Sequence, residues 1–374
     1  MGYKPFGTND PETVKHWSTM VDVRFEHGTS FKEGEAVGTE PGAAPILRKT
    51  DLESTKTKGD RVRVTTVDNF EGEGVVGDEI IVGKGEAVRD SNVDVVIDQI
   101  RHEAESGGNM SEKRTVIDFR KTGRGNLASW IRKKIDALRL VVMSGEIGVG
   151  AYKRVRWTST QIAKYLGANL VAPDGAHHLF AGANFTADAG GSVGGLSNTD
   201  VPTARLLAKI RRYISDMDNP PQPLDVNGEE YYVLYLDEAI IQLLEQDTEF
   251  REMYKDAAPR AKENPLISGR YTMAKGFIIR KIPQLIKPAG ATTPGAVRRM
   301  LVAGADDLLE AFAKPEGAED GRFSWIEETG DRKARKTITV GTMYGAVKNT
   351  WTDPDSGDVA WRNSLAVDVW VGAA

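Results

Sequence analysis

Residues 59–105 place the hardest constraint on the fold. Val62 and Val64 alternate with Arg61, Arg63 and Thr65, and Val93, Val95 and Ile97 alternate with Asp94 and Asp98. Period two is the signature of strands. Between the runs lies a tip carrying Gly72, Gly74, Gly77, Gly83 and Gly85 together with Glu71, Glu73, Asp78, Glu79 and Glu86. The predicted object is a very long acidic β-hairpin. An isolated two-stranded hairpin is at best marginally stable in water, so its valine face needs a covering surface. The reach of the loop points to another subunit as that surface, and the poorly patterned N-terminal arm is expected to order by inter-subunit contact as well.

The stretch that follows, Ser111 to Gly145, reads as one long helix. Leu127, Trp130, Ile131, Ile135, Leu138, Val141 and Val142 recur at spacings of three and four and form one apolar stripe. Arg132, Lys133 and Lys134 crowd the other side, with Arg120, Lys121 and Arg124 upstream. Ser111 is the expected N-cap and Gly145 the expected stop. Gly123 and Gly125 each cost roughly 1 kcal/mol against alanine inside a helix, which predicts a bend there.

A chain of 374 residues can bury a sizeable core and suggests two or three domains. No apolar run approaches ~18 residues, so no membrane span is expected, and the opening MGYKPFGTNDPETVKHW lacks the apolar centre of a signal peptide. There is no cysteine, which removes disulfides and thiolate metal sites and fits synthesis in a cytoplasm. The net charge is −5 and the pI near 5.7, far from the pI of about 9 or more usual for domains whose task is to grip nucleic acid.

Elsewhere the pattern is mixed helix and strand, an α+β chain. Residues 1–58 form an irregular arm with a helix expected over Glu12–Phe25 and a break at GTEPGAAP. YKRVRW reads as a short basic strand, followed by a helix over Thr158–Leu166 and a small-residue surface loop over Gly175–Asn198. Asp200 is expected to cap a helix over Val201–Met217, and Asp237 a helix after the strand Tyr231–Leu236. Phe277–Ile282 reads as a strand, Ala296–Ala313 as a helix and Lys314–Lys336 as a charged loop-like insertion. The expected closing strands are Thr337–Val340, Tyr344–Trp351 and Leu365–Val371, with DPDSGD as a turn.

Catalytic chemistry finds little support. His177 and His178 are adjacent, whereas a metal pair on a helix wants i, i+4. The loops GEIGVG and AGGSVGG lack the Gly-Lys-Ser/Thr ending and the strand–GxGxxG–helix order that phosphate cradling requires. Asp353, Asp355 and Asp358 miss calcium-loop spacing. Two other classes stay open from the residues: a DNA-binding protein using the basic helix, and an α/β enzyme using a Gly-rich phosphate loop.

The order of parts, namely arm, extended loop, long helix, α/β body and closing strands, resembles the tailed-phage major capsid proteins of the HK-97-like fold, which herpesvirus capsids share. The blocks DLESTKTKGDRVRV, GEGVVGDEI, VIDQIRH, LASWIRKKIDALRLVVMSG and ENPLISG…GFIIRKI are most similar to the N-four-like podophage branch. They are spread over about two-thirds of the chain; the glycines inside the long helix and the 314–336 insertion depart from the pattern.

The resemblance implies an N-terminal arm (1–58), an extended loop (59–105), a peripheral domain with the spine helix (106–157 and 314–374) and an axial domain (158–313). It implies assembly with copies of itself into pentamers and hexamers of an icosahedral shell around double-stranded DNA held non-specifically. It also implies synthesis in the host cytoplasm, residence in the virion capsid, and portal, scaffolding or decoration proteins as partners. No cofactor, membrane or enzymatic activity is implied, and no cross-link through Lys84 is expected. In that fold the extended loop of one subunit lies across the peripheral domain of the next. Glu71, Glu73, Asp78, Glu79 and Glu86 would then face Arg120, Arg124, Arg132, Lys133 and Lys134 of a neighbour.

Overall fold

The computed structural model describes residues 11–32, 35–52, 59–67, 74–85, 90–114, 118–149, 159–166, 170–182, 185–187, 191–217, 219–226, 228–257, 272–315, 322–330, 335–352 and 357–372. The helix Phe119–Ser144 runs through the centre of this structure for 26 residues. Leu127, Ile131, Ile135, Leu138, Val141 and Val142 are all buried, as their spacing predicts, and Trp130 is half-buried. The start differs from expectation. Asp118 is the cap, accepting from the Lys121 amide at 3.2 Å, and Asn109–Arg114 forms a separate short helix. The helix continues unbroken through Gly123 and Gly125. At its end Gly145 adopts φ 66°, and a Cβ there would lie 2.6 Å from both the Trp361 ring and the Val171 carbonyl.

The N-terminal helix Pro11–Gly28 packs along the spine and against the strand Phe323–Gly330. Val21 and Phe25 are fully buried, with Phe25 set against Phe312 and Phe323. This part of the arm is thus ordered by its own subunit, because its apolar positions at helical spacing find a ready surface there.

Two larger sheets flank the spine. The six-stranded one runs Val37–Gly38, Ile46–Lys49, Leu308–Ala313, Arg335–Lys348 and Phe323–Gly330, with Asp98–Glu105 pairing alongside Arg335–Lys348. The eight-stranded one runs Thr272–Ala274, Phe277–Lys281, Glu229–Leu236, Val297–Ala303, Ser364–Trp370, His178–Phe180 and Thr186–Ala187, with Leu224–Val226 on Glu229–Leu236. The closing strand Ser364–Trp370 therefore sits in the second sheet, while Leu308–Ala313 belongs to the first.

Several sequence expectations are corrected here. The segment expected as a helix over Ala296–Ala313 is a pair of strands separated by a turn in which Asp306 has φ 54°. Every residue of both strands is buried, so no alternation marks them, and a continuous apolar run cannot be assigned by period alone. The charged 314–336 segment contains the strand Phe323–Gly330, whose Phe323 and Trp325 are in the core. Thr337–Val340 and Tyr344–Trp351 are mostly one strand of 14 residues, Arg335–Lys348. The helix expected from Val201 is Ala204–Asp216, capped by Thr203. Within the expected 175–198 loop, His178–Phe180 pairs in parallel with Ala366–Asp368. The YKRVRW segment and most of DPDSGD lie outside the described residues. The expectations for Ser159–Leu166, for Glu229–Leu236 followed by an Asp237-capped helix, and for Phe277–Lys281 agree with the structure to within two residues.

Buried ions tie these parts together. Glu310 has no exposed surface. It accepts from Arg139 Nε at 2.8 Å and Nη2 at 3.0 Å, from Arg48 Nε at 2.9 Å and from the Tyr344 hydroxyl at 3.1 Å. Arg139 also donates to Thr29 Oγ1 at 3.3 Å. One carboxylate thus joins the spine, two strands beside its own and the end of the N-terminal helix. Burial alone would raise its pKa. The Arg139 and Arg48 guanidiniums outweigh that and hold it at about 2, against an ordinary 4.5.

The last turn of the spine is met by two more buried cations. Lys348 Nζ donates to the Met143 carbonyl at 2.8 Å and pairs with Asp307 at 2.7 Å. Arg299 donates to the Ser144 carbonyl at 3.1 Å and forms a two-pronged pair with Asp368 at 2.8 and 2.9 Å. Burial pushes the Lys348 ammonium down and the Asp307 carboxyl up. Burial also works against the Asp368 carboxylate, but Arg299 and His178 hold its pKa below the ordinary value.

Replacing Glu310 by glutamine leaves the buried Arg139 and Arg48 guanidiniums with only the more distant carboxylates of Asp136 and Glu26, each at 3.7 Å, among the ion pairs described, and should cost about 3 kcal/mol at neutral pH, read by urea unfolding. Because the folded pKa of Glu310 is lowered, its contribution is complete above 4.5 and disappears as pH falls toward about 2. The gap between wild type and Glu310→Gln should close across that window. A second variant tests the join between sheet and hairpin. A Cβ on Gly345 would lie 2.2 Å from the Val96 carbonyl oxygen, so Gly345→Ala should cost about 1–3 kcal/mol and speed amide exchange over residues 90–96.

Candidate assembly surfaces

The hairpin has two unlike parts. At its base Arg61–Val67 and Asp90–Val96 pair antiparallel, with Arg61 opposite Val96 and Val67 opposite Asp90. Val62, Val64, Val93 and Val95 pack with Leu47, Leu309, Ala311 and Val347 of the six-stranded sheet. The valine face expected to need another subunit is therefore covered by its own chain. The outer face carries the Arg63–Asp94 pair, at 2.7 and 3.0 Å.

Beyond the base, the tip residues 74–85 stand almost wholly in solvent. Val76, Ile80, Ile81 and Val82, at 69% to 84% exposure, are the most exposed large hydrophobics among the described residues. Asp78 and Glu79 are exposed beside them, and Glu79 accepts from the Lys84 ammonium at 2.5 Å. Glu71, Glu73 and Glu86 lie outside the described residues. Acidic residues are the evident mark of this loop in the sequence. The apolar run VVGDEIIV within it is what the structure brings forward.

The basic residues of the spine fall into three environments. Arg120 and Arg124 are turned to the N-terminal helix. Their guanidiniums lie 5.0 and 4.2 Å from the Trp17 ring centre, and Arg120 donates to Glu327 at 2.9 Å. Burial, with Arg24 and Arg120 nearby, lowers the Arg124 pKa. Lys134 is buried, 3% exposed, with its ammonium 5.5 Å from the Trp130 ring, and burial brings its pKa down to about 8. The expectation that Lys134 stands on the polar side is corrected. It falls seven residues after Leu127 and three after Ile131, a spacing that sets it on the buried stripe.

Arg132 and Lys133 are the pair left facing outward. Lys133 is exposed and Arg132 half-buried, its guanidinium lying so close across Gly28 that any Cβ there would collide with it. Together they edge a groove of about 250 Å³ whose apolar lining includes Phe31, Ala137, Leu140, Ile282 and Pro283. Asp136, also at the groove, is occupied. Its carboxylate accepts from the Thr29 hydroxyl at 2.5 Å and the Ser30 amide at 3.1 Å. Burial raises its pKa against the pull of Arg139.

The glycine-rich exit, the Val193–Gly195 turn and the two histidines are built into the fold. Gly145 ends the spine, the Val149 amide donates to the Lys287 carbonyl at 2.8 Å and Glu146 accepts from the Ala289 amide at 2.7 Å. The glycine-rich exit is thereby closed onto residues 287–289. Val193–Gly195 forms a single 3-10 turn capped by Ser192. His177 bonds Asp174 at 2.8 Å and His178 bonds Asp368 at 2.8 Å. Among the described residues no group of three or more His, Cys, Asp or Glu is placed to hold a metal ion, and no helix is long and apolar enough to cross a membrane.

Comparison with known proteins agrees with this arrangement. A family model described as phage capsid protein matches residues 5–365. The major capsid protein of Pseudomonas phage KPP25 is 25% identical over 347 residues, covering 91% of this chain and 90% of that one. The capsid of Ralstonia phage GP4 superposes with a TM-score of 0.73 at 26% identity, over 91% of this chain and 90% of the other. The capsid of cyanophage Pam1 gives 0.66 at 19% identity, over 90% and 91%, a likeness of fold. With a sequence match spanning nearly its whole length and an HK-97-like fold, this chain belongs to the phage capsid protein family.

Proposed function

We propose that this chain is the major shell subunit of a phage head, associating with copies of itself as pentamers and hexamers around double-stranded DNA. The reading is carried by the agreement of the family match over residues 5–365 with the capsid fold over 91% of the chain. The sequence blocks quoted above favour the N-four-like podophage branch. Packaged DNA is held non-specifically, in keeping with the net charge of −5. Strong attraction to phosphate would hinder both filling and release, since every neutralised phosphate adds counterion-release affinity. Portal, scaffolding and decoration proteins are the expected further partners, synthesis takes place in the host cytoplasm, and the chain has no enzymatic role. The domain division is best redrawn by sheet. The six-stranded sheet, spine and hairpin form the peripheral part, and the eight-stranded sheet with Ser364–Trp370 forms the axial part.

Assembly draws on unlike charge. The tip presents Asp78 and Glu79, and the spine presents Arg132 and Lys133. Each exposed ion pair is worth only ~0.2–1 kcal/mol, so such contacts set register and steer encounter more than they add affinity. Repeated around a closed shell they still favour the correct neighbour. Electron microscopy of the expressed full-length chain should show uniform closed particles; a strictly monomeric protein would overturn the reading. Arg132→Glu with Lys133→Glu should reduce particle yield by about tenfold, and Asp78→Lys with Glu79→Lys in the same chain should restore part of it. Normal particles from the first variant would exclude the charge contact. Lys134 is left unchanged in this design because, being buried, its reversal would disturb folding.

A further inference from the structure

We infer that the groove beside Arg132 and Lys133 is a binding site for a small apolar monocarboxylate, of the class of the arylalkanoates. The site lies within a single subunit, so the inference does not depend on the shell-subunit reading. Three segments distant in sequence build it: the end of the N-terminal helix with the turn after it, the middle of the spine, and residues 282–284 beyond the strand Phe277–Lys281. Phe31, Ala137, Leu140, Ile282 and Pro283 make the floor apolar. Small-molecule sites have this composition, an apolar cleft with a few polar groups that fix orientation.

The charges name the head group. Arg132 and Lys133 stand together at the rim, and neither makes a salt bridge or a side-chain hydrogen bond among the described residues. A guanidinium fork takes a carboxylate by two parallel hydrogen bonds, and an adjacent ammonium adds to the attraction. Asp136, the other charge at the groove, already accepts from the Thr29 hydroxyl and the Ser30 amide and lies 3.7 Å from Arg139. Its carboxylate weighs against a dianionic head such as phosphate. The volume sets the body of the ligand. An apolar cavity of about 150 Å³ holds a benzene ring, so a groove of about 250 Å³ takes a ring with a short chain. Bound there, the ligand ties the N-terminal helix and the spine to the end of a strand of the eight-stranded sheet, and stabilises the folded chain by mass action. A DNA backbone would meet the two cations but leave the apolar floor uncovered.

The probes are phenylbutyrate, its uncharged amide phenylbutyramide, and inorganic phosphate, each titrated by calorimetry into the full-length chain held as free subunits. The acid should bind, raise the melting temperature, and slow amide exchange over residues 28–31 and 282–284. The amide lacks the charge-assisted hydrogen bonds and should bind about tenfold more weakly. Phosphate should give no measurable heat. Equal affinity for acid and amide would overturn the inference by leaving the rim cations without a role. Equal affinity for acid and phosphate would overturn it by leaving the apolar floor without one. No binding of the acid at millimolar concentration, or exchange slowed only in other segments, would overturn it outright.

Two variants separate the parts of the site. Arg132→Gln with Lys133→Gln should weaken the acid by about tenfold and leave the amide unchanged. Ala137→Leu fills the floor and should abolish binding of both, with the melting temperature of the unliganded chain as the check on folding. An unchanged acid-to-amide ratio in the first variant, or wild-type affinity in a folded Ala137→Leu, would sink the proposal. Should Ala137→Leu fail to fold, the comparison of acid with amide on the wild-type chain still decides it.

Discussion

The end of the spine helix is where the structure is held together. A helix presents its unsatisfied carbonyls and the negative end of its dipole at its C-terminus, and here that end is buried. Lys348, from the six-stranded sheet, binds the Met143 carbonyl, and Arg299, from the eight-stranded sheet, binds the Ser144 carbonyl. Each cation brings its own carboxylate, Asp307 or Asp368. Removing charge from water costs several kcal/mol per ion unless it is paired and hydrogen-bonded, so neither sheet can shift without uncovering an ion. The two sheets are fixed relative to each other through the last turn of one helix.

The Glu310 cluster does the same work further up the spine. Through Arg48, Arg139, Tyr344 and Thr29 it joins the N-terminal helix to the sheet that carries the hairpin. The base of the hairpin then lies on that sheet through its valines, and its backbone passes close over Gly345. The position of the hairpin base is set by this chain of packed parts.

The tip itself follows the opposite logic. It leaves aliphatic side chains in water, which a solitary domain has no reason to do. The base is packed and the tip is exposed, so the two ends of the hairpin have opposite surroundings.

Much of this was legible in the residues. The period-two valines predicted the hairpin, the three-and-four spacing predicted the spine, Gly145 predicted its end, and the order of parts resembled the capsid fold. Each of these is a local signal, since an apolar stripe or a glycine stop depends on neighbours in sequence. What the sequence could not decide was whatever depends on the second surface. Val297–Ala303 and Leu308–Ala313 are buried on both faces, so their apolar run carried no period and resembled a helix. Phe323 and Trp325 were hidden inside a charged segment. Arg48, Arg139 and Glu310, far apart in the chain, gave no sign that they share one buried site. Covering the hairpin's valines with its own sheet likewise needed Leu47, Leu309 and Val347 brought together from distant segments. Local periodicity determined the hairpin base and the spine by itself, but the strands buried on both faces, the pairing of buried charges and the choice of covering surface depend on long-range energies, and only the tertiary structure decided them.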